Sequence, residues 1–94
     1  MVKLTNQVDV QTIPTRIVYP NPNRTSLIIR NIGNYVIYIG TDMNVSVTNG
    51  FQISPGNAIS LTKELGDNPE LEFWAISDGG VGRIAWLEQV KIKE

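Results

Sequence analysis

After residue 23 the chain alternates apolar and polar residues with a period of two, in short runs separated by glycine, proline and asparagine. Successive side chains of a strand point to opposite faces, so such runs predict half-buried β-strands. Leu27 to Ile32 is nearly continuous in β-branched residues, as expected of a strand buried on much of both faces. Tyr35 to Gly40 sets Val36 and Tyr38 against Ile37 and Ile39, and Ile32-Gly33-Asn34-Tyr35 supplies the turn before it. Gly50 to Ile53 and Asn57 to Thr62 are two further strands. Between them, Ser54-Pro55-Gly56-Asn57 places proline and glycine where a type II turn needs them, which predicts a hairpin. Thr41 to Asn49 reads as a polar loop with a weak strand. Lys63 to Glu70 reads as a charged loop with one helical turn near Lys63-Glu64-Leu65.

The segment from Leu71 to Val90 carries the clearest pattern. If Gly79-Gly80 form a two-residue turn, Ala75 lies opposite Ile84 and Phe73 opposite Trp86, so these four share one face. Trp74, Ile76, Arg83, Ala85 and Leu87 then share the other face. Both faces of this hairpin are apolar. One is expected in the core, and the second, with Trp74, Ile76, Arg83 and Leu87, is the candidate interface for another subunit or a partner.

Residues 1–23 differ in character. They are rich in Thr, Asn, Gln and Pro, and Pro14, Pro20 and Pro22 are spaced too closely for a helix or a central strand. They read as an extended N-terminal arm with one short strand, Arg16 to Tyr19, followed by a Pro20-Asn21-Pro22-Asn23 turn. The compact domain is then expected over residues 24–94. Seven or eight short strands with no helical apolar period predict a single all-β domain, a small antiparallel β-sandwich or jelly-roll-like barrel.

Composition narrows the chemistry. At 94 residues the chain supports one thin core, and without cysteine or histidine it has no disulfides and neither of the usual zinc ligands. Nine acidic and eight scattered basic residues give a net charge of -1, a poor match to the clustered positive surface that nucleic acids require. No window approaches a membrane span, and the start lacks the apolar run of a signal peptide, so synthesis in a cytoplasm is expected.

Nucleophilic catalysis would need a hydroxyl beside a lysine or carboxylate, and no local pattern offers that arrangement, so the chain reads as a non-enzyme. Asp67, Asn68 and Glu70, and separately Asp42 and Asn44, gather oxygen atoms on loops without EF-hand spacing; turn formation is the simpler reading. No cofactor or metal is expected. Exposed aromatics such as Trp74 and Tyr38 would also suit a carbohydrate-binding module.

One succession of motifs carries a resemblance: Asn21-Pro22-Asn23-Arg24; Leu27-Ile28-Ile29-Arg30-Asn31 with Gly33; Val36-Ile37-Tyr38-Ile39-Gly40; Asn49-Gly50-Phe51 with Ile53 and Pro55-Gly56; and Phe73-Trp74-Ala75-Ile76-Ser77. In this order they resemble small virion proteins of tailed bacteriophages: capsid decoration (cement) proteins, head-fibre bases and tail accessory domains. The resemblance spans roughly residues 21–90. It implies a virion location and a partner in the major capsid protein or another virion protein. Capsid decoration is the leading expectation, with a tail or baseplate accessory role as the alternative. The chain would bridge capsomers as a homo-oligomer, a trimer by preference, with Val8, Ile13, Ile17 and Tyr19 of the arm reaching the capsid.

Overall fold

A computed structural model describes the backbone of residues 2–91 and the side chains of residues 6–91. Residue 1 of the expected arm and residues 92–94 of the expected domain lie outside the described residues. Among the described residues eight strands form two sheets: β1 (Val2–Val10), β2 (Thr15–Val18), β3 (Arg24–Asn31), β4 (Ile37–Gly40), β5 (Phe51–Ile53), β6 (Ala58–Thr62), β7 (Phe73–Ser77) and β8 (Gly82–Val90). One sheet runs β1-β8-β3-β6 and the other β2-β7-β4-β5, every neighbour antiparallel. The pairs β1·β8, β2·β7, β3·β6 and β4·β5 describe a long ribbon folded back on itself at residues 41–50 and rolled into a sandwich. This is the jelly-roll arrangement. A 3-10 turn follows β6 at Lys63–Leu65, where the sequence predicts it.

The alternation predicts the inward face of β7 and β8, where Phe73, Ala75, Ile84 and Trp86 lie on the core side. Leu27, Ile29, Ile37, Ile39, Ile53, Phe73, Ala75 and Ile84 form the core with Val10, Ile17 and Val18, and Trp86 packs against it. It does not predict which strands pair. β3 and β4, β5 and β6, and β7 and β8 are not hairpins; each short turn crosses from one sheet to the other. Phe73 and Ala75 therefore face Ile84 and Trp86 across the core instead of lying beside them. Nor is β3 buried on both faces, because Ile28 and Arg30 point outward and are exposed.

The expected arm is part of the sandwich. β1 pairs with β8 over nine residues without a bulge, and β2 pairs with β7. The arm thus carries two strands rather than one, and both sheets cross the expected boundary at residue 23. Val2, Leu4, Val8 and Val10 do keep a period of two, but Asn6 interrupts it and polar residues fill the alternate positions.

Polar clamps hold each end of β3. Leu27, Ile29 and Asn31 point inward, so strict alternation would send Arg24 outward along an unbroken strand after Ser26. Opposite β8 the register slips, with Arg24 across from Val90 and Ser26 from Gln89. The extra residue, Thr25, is a β-bulge that re-aims Arg24 into the interior.

Arg24 is 2% exposed and its Nε donates to Glu88 Oε2, itself on a buried residue. Its other nitrogens donate to the carbonyls of Pro69 (2.9 Å), Leu71 (3.2 Å) and Tyr19 (2.7 Å). At the far end Asn31 is fully buried. It donates to the carbonyls of Tyr35 (2.7 Å) and Ile53 (2.9 Å) and accepts from Gly33 N–H at 3.0 Å.

Loop 41–50 is anchored by Val45, which is 5% exposed. A Cβ at Gly40 would lie 2.9 Å from the Val45 side chain, and one at Gly50 would lie 2.6 Å from Tyr38 Cβ. Gly40 at the end of β4 and Gly50 just before β5 leave the space that Val45 fills.

Arg24→Met leaves Glu88 buried without a counter-charge and is expected to cost about 3–5 kcal/mol, read as a lower denaturation midpoint with an unchanged slope. Gly50→Ala overpacks against Tyr38 and is expected to cost about 1–3 kcal/mol in the same measurement.

Candidate docking surfaces

The four residues of the expected interface do not form one surface. Trp74 and Ile76 lie on the outer face of the β2-β7-β4-β5 sheet, because Phe73, Ala75 and Ser77 between them are buried. Arg83 and Leu87 lie on the outer face of the β1-β8-β3-β6 sheet, because Gly82, Ile84 and Glu88 point inward. The split follows directly from β7 and β8 belonging to opposite sheets. Of the expected capsid-binding arm, Ile17 is buried in the core and Val8 is half-buried against it, so neither is presented for docking. Ile13 and Tyr19 are each 66% exposed.

One surface does gather residues from both expectations. Arg16 lies opposite Trp74 in the β2·β7 ladder, and Tyr38 lies opposite Ile76 in the β4·β7 ladder. The Arg16 guanidinium carbon stands 4.3 Å from the centre of the Tyr19 ring and 5.7 Å from that of Trp74, within cation–π range of both. Trp74 Nε1 donates to Glu72 Oε1 at 2.8 Å, and the other Glu72 oxygen faces Arg16 at 3.6 Å. Glu72 therefore orients both the indole and the guanidinium. The side chains of Arg16 and Glu72 are 40% and 33% exposed, so their attraction is solvent-screened and adds little to stability.

The sequence reading missed Arg16 and Glu72. Glu72 lies two residues before Trp74, a spacing that puts both on one strand face. The bulge between Arg16 and Val18, which leaves no mark in the sequence, turns Val18 inward after Ile17 and so brings Tyr19 onto the face of Arg16.

A second exposed apolar region lies at the end where the turns cross between sheets. Ile13, Ile32, Tyr35 and Val81 project from three of these turns. The turns are tied together: Ile32 N–H and Gly33 N–H both donate to Arg83 O, Asp78 N–H to Val36 O, and Ser77 N–H to Gln11 O. A third feature is a cleft on the open side of the sandwich between β5 and β6. It is lined by Ile39, Thr41, Phe51, Ile59, Leu61 and Phe73, with Phe51 62% exposed.

The loop acids stabilise turns. Asp67 Oδ2 accepts from Thr62 N–H at 3.0 Å, and Asp42 Oδ1 accepts from Asn44 N–H at 2.9 Å. Among the described residues no three acidic side chains converge as a metal site would require.

Neither a protein-family profile nor a curated protein sequence matches the chain. A solved structure does share the fold: a protein of Bacillus endospore appendages, described as a family of disulfide-linked pili. The similarity covers 98% of this chain and 88% of that one, with a TM-score of 0.55 and 9% identity. At that identity the likeness concerns the all-β fold alone. The linkage named for those pili has no counterpart here, since this chain contains no cysteine.

Arg16→Ala is expected to change stability by less than about 1 kcal/mol, because the charges it pairs with are solvated. It should uncover Trp74, seen as faster acrylamide quenching of indole fluorescence in a Trp86→Phe background, where Trp74 is the only indole.

Proposed function

We propose that this chain is a non-enzymatic structural protein of a tailed-phage virion, a capsid decoration protein that docks on the shell through the outer face of the β2-β7-β4-β5 sheet. The observation that carries the reading is the Tyr19-Arg16-Trp74-Glu72 cluster with Tyr38 and Ile76 beside it. Tryptophan, tyrosine and arginine are the residues most enriched where binding energy concentrates. Here they lie together on one sheet face, with the Trp74 indole held by Glu72, which lowers the ordering cost of association. Excluding water on docking would raise the worth of the Arg16 contacts from about 0.5–1 to about 2 kcal/mol.

Two further observations support a building-block role. The motif succession resembles small virion proteins, and a protein of spore-appendage pili has the same fold. Cementing would follow from rigidity: a sandwich spanning the junction between capsomers adds buried area that separation of the subunits must undo. The same face would serve a tail accessory protein, and the target particle distinguishes the two roles.

The test is co-sedimentation of the purified chain with heads and, separately, tails of the phage that encodes it, prepared without the chain. Saturable binding to heads is expected. Trp74→Ser should weaken it by about 2 kcal/mol or more, roughly thirtyfold in Kd, while Leu87→Ser on the opposite face leaves it unchanged. Binding to tails alone would transfer the role to the tail. Binding to neither particle, with capture on a glycan array that depends on Trp74 and Tyr38, would replace the virion reading with a carbohydrate-binding one.

A further inference from the structure

A sandwich has four edge strands, and this one blunts only two of them. β2 carries a bulge between Arg16 and Val18 and follows Pro14, and β5 is three residues long. Both are ordinary protections against unwanted strand pairing. The other sheet ends in β1 and β6. β1 runs nine residues in unbroken register, and β6 pairs with β3 over five without a bulge. Neither strand contains proline, and neither has a neighbour on its outer side among the described residues.

These two edges complement each other. Strand direction alternates across β1-β8-β3-β6, so β6 of one copy and β1 of a copy placed beside it run antiparallel and extend the sheet without reversing its inner face. The apolar residues at the two margins are incompletely buried: Val8 on β1, and Ile59 and Leu61 on β6, each packed against the core and half open to solvent. The cleft between β5 and β6 opens at the same margin.

Charge selects a register. With Ile59 opposite Val8 of the second copy, Ala58 lies opposite its Asp9, and Arg30 lies one strand further in the same row, since Arg30 pairs with Ala58. Arg30 is exposed and makes no ion pair among the described residues, and the short Ala58 side chain between them lets the two charges approach. Asp9 has only a loose contact of its own, 4.0 Å from Arg83.

We infer that copies of this chain associate edge to edge, β6 of one pairing with β1 of the next in the register that sets Ala58 against Asp9. The contact is heterologous, so it propagates beyond a dimer into a ring or an open row. It uses residues apart from the Trp74 face and is tested without any capsid, so either reading can fail alone.

The register places Ser60 opposite Gln7 of the next copy, and direct partners in a ladder are close enough for a disulfide. Within one copy these positions stand three strand spacings apart, about 14 Å, too far to bridge. The chain has no native cysteine. Under mild oxidation, Ser60→Cys/Gln7→Cys is expected to form disulfide-linked species of three copies and more, while either single variant gives none beyond a dimer.

The second measurement is the mass distribution by light scattering over a concentration series. Asp9→Arg and Arg30→Asp should each weaken association at least tenfold, and the two together should recover most of it. Cross-linking that stops at monomer or dimer in the folded double-cysteine variant would overturn the proposal. So would a native chain that stays monomeric at every concentration, or a double charge swap that recovers nothing.

Discussion

The buried guanidinium of Arg24 is the constraint on which the rest of the architecture depends. It joins four parts of the chain that are distant in sequence: the connection after β2 through Tyr19, strand β3, the β6–β7 loop through Pro69 and Leu71, and strand β8 through Glu88. Taking the two charges out of water is costly, and an apolar pair of equal volume would often be at least as stable. What the pair adds is direction. Four of the five guanidinium N–H groups are committed to fixed acceptors, so the ribbon has one way to close at this end. Asn31 plays the corresponding part at the other end of the same strand with three hydrogen bonds and no charge. A thin core between short strands leaves register weakly determined, and a directional clamp at both ends of a central strand is one way to fix it.

The motifs on which the proposed virion reading rests run through these clamps. Asn21 shapes the turn that delivers Arg24, accepting at its side chain from Asn23 N–H and at its carbonyl from Arg24 N–H. Asn31 and Gly33 form the next clamp; a Cβ at Gly33 would lie 2.8 Å from the backbone nitrogen of Arg83. Gly40 and Gly50 admit Val45, and Gly56, at φ 85°, completes the turn after Pro55. These motif residues keep a frame, so they speak for the fold more directly than for a binding partner. The outer-face cluster draws on both sets: Tyr38, Trp74 and Ile76 belong to the motifs, while Arg16, Tyr19 and Glu72 lie outside them.

This division explains how much could be read in advance. Alternation records which side chains share a face, and it groups Ile37 with Ile39 and Phe73 and Ala75 with Ile84; the nearly continuous apolar run of β3 hides that Leu27 and Ile29 turn inward while Ile28 does not. It is silent on whether the next strand lies beside its predecessor or across the core from it, since both arrangements bury the same residues. The hairpins expected at Gly33, Gly56 and Gly79 are arches for that reason, and Trp74 and Leu87 end on opposite faces. The two bulges shift side chains by one position and are invisible to any period. β1 shows its alternation only in part, because Asn6 stands in an apolar place.

The same geometry bears on how such a chain could join others. If copies associate as proposed, a chain without cysteine would be held through surfaces and edges whose contacts are reversible. Reversible contacts obey mass action: a single weak edge pair is sparse in dilute solution and becomes dominant when copies are held side by side on a larger particle. A docking face and two complementary edges on separate sides of one rigid sandwich would then reinforce each other. Docking raises the local concentration that edge pairing needs, and edge pairing converts several modest contacts into one that is slow to leave.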